Sequence, residues 1–365
     1  MPGLIDAHVH LALVRSPMEI RNEYDWMYVG SVSGDEARRM LFRGFTTVRD
    51  AGGPVLGLAR AIDEGLIPGP RIYPSGAFIT QTAGHGDWRN RNELSAYWSG
   101  DVNMFERLGW ALISDGVDEV MKATRENLRV GAAQIKVMAG GGISSVFDPL
   151  ESTQYTLAEL SAAVKAAADW GTYVLVHAYT SEAIERALQA GVKSIEHGQL
   201  INGPTMALLA EKGAFLSSQV YINKLFRNFA GLTEHQRAKA RRVVEGLDNE
   251  MRLAKKHNVK MAFGTDLFPG RETMAQQNKE FGARSEWFAP GEILRQATSV
   301  NAELLALSGP RNPYPGKLGV IEENAYADLL IVDGNPLEDI RVLEDPKDNL
   351  RLIMKDGQIY KNTLE

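Results

Sequence analysis

The chain has 365 residues, 44% hydrophobic and 24% charged, with a formal net charge of −6 and no cysteine. The mildly acidic balance argues against a nucleic-acid-binding surface, and the missing thiols exclude disulfides, thiolate metal sites and a cysteine nucleophile. No apolar run reaches membrane-spanning length, so no membrane partner is expected, and any metal must sit on histidine, carboxylate or a modified lysine.

Met1-Pro2 leads straight into a core strand, with no signal peptide and no other lead-in. This abrupt start suggests an internal or artificial beginning with upstream residues missing; the expected compartment is the cytoplasm. In chain order, short β-branched or apolar runs mark eight strands at 4–10, 45–50, 71–79, 134–139, 173–179, 194–199, 215–220 and 261–266. Helical periodicity separates several of them, as at 157–170, where Thr156 and Glu159 suggest a capping box, and at 181–190. Gly44, Gly171, Gly191 and Gly213 stand where helices should stop before a strand. Eight βα units predict an α/β protein with a (β/α)8 TIM barrel over 1–311. A doubly wound open sheet is the alternative, but the histidines fall at strand C-termini, where barrel sites lie.

Two segments are too long for simple loops. Residues 80–129 are aromatic and polar and should hold a helix and a lid; residues 221–250 are basic and helical. After about residue 312 the pattern turns to β, with a hairpin expected about Asp356-Gly357. Residues 312–365 alone make a poor domain. They need a partner sheet, from missing upstream residues or another subunit.

Five places along the chain carry chemistry. His8 and His10 close the run Gly3-Leu4-Ile5-Asp6-Ala7-His8-Val9-His10 and, one residue apart on a strand, point to one side. Lys136 lies between Ile135 and Val137, so alternation turns it into the barrel. There it is either paired with a carboxylate such as Asp266 or held as a neutral amine able to take up carbon dioxide as a carbamate. His177 and His197 each end a strand, on adjacent βα units. Asp266 ends the eighth strand, beside the first in a closed barrel, as helix cap or as metal ligand and general base.

With this set of residues, the chain resembles the amidohydrolase superfamily in its two-metal form. Ala327-Asp328-Leu329-Leu330-Ile331-Val332 resembles that family's closing β segment. The resemblance implies a small β-sandwich built with the C-terminal segment, its N-terminal half absent from this chain. It implies two divalent cations, zinc being the expected metal: one on His8, His10 and Asp266, one on His177 and His197. Carboxylated Lys136 and a hydroxide would bridge them. Thr46-Thr47-Val48-Arg49-Asp50, Gly84-His85-Gly86-Asp87, Ala139-Gly140-Gly141-Gly142 and His177-Ala178-Tyr179 are similar to the branch holding Xaa-Pro dipeptidases, carboxypeptidases and imidazolonepropionase-like proteins.

That likeness implies hydrolysis of the C–N bond of a dipeptide or N-acyl amino acid. Asp266 would be the acid/base, and His85 and Tyr179 would touch the scissile carbonyl. A substrate carboxylate needs a cation, and Arg89 and Arg271 are the candidates. Competing readings are a one-metal cyclic-amide hydrolase, a lactonase or phosphotriesterase-like enzyme on the same ligands, and a non-catalytic scaffold. A homo-oligomer is expected, since the β tail and the basic insertion offer surfaces.

Overall fold

The computed structural model describes every residue except Asn228, Ala230 and Glu365. Its centre is an α/β fold with two parallel sheets. Strands β1 (Leu4–Val9), β2 (Phe45–Asp50) and β3 (Arg71–Pro74) form the first in that order. The second contains β4 (Phe78–Thr80), β5 (Ala111–Ile113), β6 (Ile135–Met138), β7 (Val174–Thr180), β8 (Ser194–Leu200), β9 (Phe215–Ser218) and β10 (Lys260–Phe263). Its order is β10-β9-β8-β7-β6-β4-β5. Hydrogen bonds join the two sheets at both seams. The amides of Thr265 and Asp266, just past β10, donate to the His8 carbonyl at 3.3 and 2.8 Å, and the Ala133 amide, before β6, donates to the Pro74 carbonyl at 2.8 Å. The result is a barrel-like domain with its helices outside.

Side-chain alternation sorts the strands into two layers. Ile135, Val137, Val174, Val176 and Ile195 join the core shared with the helices, whereas Tyr173, Leu175 and Phe215 pack in a separate inner cluster. The helix Leu157–Asp169 carries the reciprocal capping box of Thr156 and Glu159, and Ser181–Ala190 ends on Gly191 at φ 100°.

The expected strand at 71–79 is two strands. Gly76 adopts φ 72°, and the Asn127 side chain takes over both backbone groups of Ala77, accepting from its amide at 3.0 Å and donating to its carbonyl at 2.9 Å. The chain thus steps sideways between β3 and β4 without leaving buried polar groups unpaired. Segment 80–129 contains β5 and all but the last residue of the helix Val117–Val130; segment 221–250 contains all but the first residue of Val220–Phe226 and most of Glu234–Lys256, with Asn228 and Ala230 outside the described residues.

The tail forms an antiparallel sheet of β11 (Leu329–Val332), β12 (Leu350–Lys355) and β13 (Gln358–Asn362). The expected hairpin turn is present, with Asp356 and Gly357 at φ 55° and 76°. The chain's own first residues supply pairing for this sheet. Met1 and Leu330 exchange two 2.9 Å hydrogen bonds, and the Gly3 amide donates to Asp328. Among the described residues no helix is long and apolar enough to cross a membrane.

Candidate metal centre

The C-terminal strand ends converge on one cavity of about 550 Å³ lined by His8, His10, Lys136, His177, His197 and Asp266. His85, Tyr179 and Arg89 also line it, but Arg271 does not.

His8, His10 and Asp266 offer ligand atoms that lie within 4.8 Å of one another. Each imidazole is held from behind. The Nδ1–H of His10 donates to the Gly52 carbonyl at 2.9 Å, and Nδ1 of His8 faces the Glu196 carboxylate at 2.8 Å. Such outer partners fix ring orientation and tautomer, and leave Nε2 with its lone pair. Nε2 of His10 then stands 3.3 Å, and that of His8 3.5 Å, from Oδ1 of Asp266. Acceptors face acceptors there. Asp266 Oδ1 is buried with no hydrogen-bond partner, and so is His197 Nδ1. A divalent cation relieves this arrangement, so the donor set fits one.

The electrostatics point the same way. Burial pushes His8 and His177 well below the usual histidine range and His197 to about 3, which keeps them in the neutral, ligating form. Burial also works to raise the Asp266 carboxyl, but the neighbouring imidazoles outweigh it and hold it below its ordinary value. His10 is the exception among the imidazoles. Burial opposes its charge, yet Asp266 lifts it above the ordinary histidine value. In the absence of a cation, a proton on His10 fills the gap.

Zinc affinity is therefore expected to rise with pH until His10 has lost its proton, above the ordinary histidine value, each ion bound below that point displacing the proton. Calorimetry in buffers of different ionisation enthalpy counts the released proton; a pH-independent affinity would contradict the assignment.

His177 and His197 form the other half of the cup, their ring centroids 4.3 Å apart. Nε2–H of His177 donates to the Gly141 carbonyl at 3.1 Å, leaving Nδ1 available. His197 breaks strand alternation. Glu196 faces inward, so a regular strand would turn the next side chain out. Instead His197 and Gly198 take φ 80° and 87°, and the imidazole swings into the cavity. Asp266, at φ 52°, shares this left-handed conformation, which is strained for a side-chain-bearing residue.

Lys136 is buried, and its amine is lowered to about 8 by burial, against the attraction of Glu196 and Asp266. Among the described residues it forms no ion pair with Asp266.

His85 stacks on His177 at 4.1 Å, with Nδ1 2.8 Å from the Ser145 hydroxyl. A Cβ on Gly142 would stand 1.9 Å from the His85 ring, so this stack needs the glycine. The loop carrying Gly142 and Ser145 is gripped by the helix Glu234–Lys256. The buried Lys239 ammonium donates to the carbonyls of Gly142, Ser145 and Asp148 at 3.0, 3.2 and 2.6 Å. Tyr179 is buried 5.0 Å from both His177 and His197, centroid to centroid. Burial raises its phenol well above the usual range, so the hydroxyl stays a donor.

Known proteins are similar to this chain. The model of the amidohydrolase family matches residues 1–360. The chain belongs to the amidohydrolase family. Ochratoxinase of Aspergillus niger is 32% identical over 381 residues, covering 99% of this chain and 75% of that protein. A prolidase solved with N-methylphosphonate-L-proline is 39% identical with a TM-score of 0.90, covering 99% of this chain and 86% of the other. A Xaa-Pro dipeptidase solved with methionine in its active site is 33% identical with a TM-score of 0.86, over 99% and 86%. This amidohydrolase is thus a hydrolase acting on amide bonds.

Neither arginine expected to meet a substrate carboxylate is free in this amidohydrolase. Arg271 pairs with Asp35 outside the cavity. Arg89 forks onto Asp87 at 2.8 and 2.6 Å. Sequence reasoning also missed Glu196 and Arg49, an ion pair at 2.7 Å with both side chains fully buried. The same signal that marks Lys136, a charge at an inward position of an apolar strand, was available for both. Lys239 sits on a solvated-looking helix and carries no such signal.

Proposed function

We propose that this protein hydrolyses the amide bond of a dipeptide or N-acyl amino acid at a two-metal site. The observation that carries the reading is the cluster of His8, His10 and Asp266, with lone pairs converging on one point at the floor of the cavity. We read the two parallel sheets as one (β/α)8 barrel over 1–311, with β3 and β4 as a single broken strand, and 312–365 as part of a small β-sandwich.

His8, His10 and Asp266 would hold one cation; His177, His197 and carboxylated Lys136 would complete the second site. An amine lowered to about 8 has a sizeable neutral fraction near physiological pH, which carbamate formation requires. When bound, the cations supply Lewis acidity and acidify water. The other carboxylate oxygen of Asp266, Oδ2, takes the proton of the attacking water and delivers it to the departing nitrogen. The Tyr179 hydroxyl and the His85 ring N–H donate to the carbonyl oxygen as it gains charge. Phe78, Trp88, Phe226 and Phe268 wall the cavity and exclude bulk water.

The test is metal analysis of protein loaded with zinc and bicarbonate, followed by a panel of dipeptides, N-acyl amino acids, cyclic amides, lactones and phosphotriesters. Two zinc ions per chain and turnover concentrated on linear amides are expected. Amide turnover undiminished in chelator-treated protein, or turnover confined to esters, would overturn the reading.

A further inference from the structure

We infer that Arg91 is the specificity-determining residue that binds the free carboxylate of the substrate. The inference rests on the amide-hydrolase reading above and names what that reading leaves open. A carboxylate-bearing substrate needs a cation facing the cavity whose charge is not already neutralised. The cations around the mouth can be taken in turn. Arg21, on the helix Pro17–Glu23, forks onto both oxygens of Glu93 at 2.7 and 2.6 Å. Arg89 forks onto Asp87. Arg271 is held by Asp35 and does not border the cavity. Lys239 is spent on three backbone carbonyls. Lys136 lies on the floor among the histidines.

Arg91 remains. It borders the cavity, and among the described residues it forms no ion pair and no hydrogen bond. It is not adrift, however. Its guanidinium carbon sits 5.5 Å from the ring centroid of Phe147, another cavity residue. A guanidinium against an aromatic face is restrained by the ring quadrupole. The N–H fork lies in the guanidinium plane and stays open, the geometry that takes a carboxylate bidentately. Arg91 therefore combines a restrained position, an uncompensated charge and an unused fork at the cavity that holds the proposed chemistry. The substrate class that follows is an amide with a free carboxylate, in preference to the same amide capped as a carboxamide.

The experiment compares N-benzoyl-phenylalanine with its carboxamide on zinc-loaded protein, measuring both Kd by calorimetry and turnover. Wild-type protein is expected to bind the acid more tightly than the carboxamide by about tenfold or more. Arg91→Ala should erase that difference by weakening the acid alone. Where turnover is seen, the loss should fall mainly in KM, with kcat little changed. Arg91→Lys keeps the charge without the fork and should recover part of the preference. Arg91 is exposed, so each variant should melt like wild type. Equal weakening of acid and carboxamide, or an acid preference that survives in Arg91→Ala, would overturn the inference. Acid-selective binding through Arg91 without turnover would uphold it and instead count against N-acyl amino acids as the substrate.

Discussion

Asp266→Ala is expected to lower kcat by about a thousandfold or more, because it removes a proton carrier and a ligand together. The fold should survive. Asp266 Oδ1 faces the two imidazole nitrogens of His8 and His10, so once the pH is high enough to strip the proton from His10 the metal-free wild type carries an uncompensated buried acceptor. Removing it relieves that repulsion. Above that pH, metal-free Asp266→Ala should therefore melt at or above the temperature of metal-free wild type. Zinc should raise the melting temperature of wild type strongly and that of the variant little, since a ligand stabilises only in proportion to its affinity for the folded state. Thermal melts with and without zinc, beside kcat, check both halves. A variant that melts well below apo wild type at that pH would mean that Asp266 stabilises the fold itself and not only the site.

The sequence made much of this site readable, because barrel geometry turns local patterns into long-range ones. An apolar run ending in a histidine places that histidine at the mouth, whichever strand it belongs to. His8, His10 and His177 follow from that rule alone, and Asp266 follows when a carboxylate ends the run instead. His197 does not, since it needs the left-handed backbone at 197 and 198 to face inward, and only Gly198 hinted at it. The capping box at Thr156 and the turn at Asp356-Gly357 were legible because their chemistry is confined to four residues. The break at Gly76 was hidden, because its compensation comes from Asn127, 50 residues away. β5 is too short to show a period. The choice among arginines was equally opaque. Arg89 and Arg91 differ only in whether a carboxylate happens to reach them, and Asp87 reaches the first.

Glu196→Leu is expected to destabilise the protein by about 3–5 kcal/mol, read from denaturant unfolding of metal-free protein. Glu196 Oε1 accepts from Arg49 at 2.7 Å and from the Ser194 hydroxyl at 2.5 Å, while Oε2 faces His8 Nδ1 at 2.8 Å. Arg49 keeps the Ala7 carbonyl at 2.6 Å and the Tyr173 hydroxyl at 3.1 Å, but neither offsets its charge. Removing the carboxylate leaves a guanidinium buried inside the barrel without a counter-ion, and Lys136 loses one of its two attracting charges. A second loss is independent of the first. His8 forfeits the acceptor that fixes its ring, which should weaken zinc binding by about 10- to 100-fold. The double variant Arg49→Met/Glu196→Leu separates the two effects. With both members of the pair gone no guanidinium is left without a counter-ion, and Lys136 loses the repulsion of Arg49 along with the attraction of Glu196, so much of the stability should return. Zinc affinity should stay low, because the partner of His8 is still missing. Recovery of both together would mean that Glu196 acts on the metal site only by holding the barrel in shape, and that the orientation of His8 is set by packing rather than by this hydrogen bond.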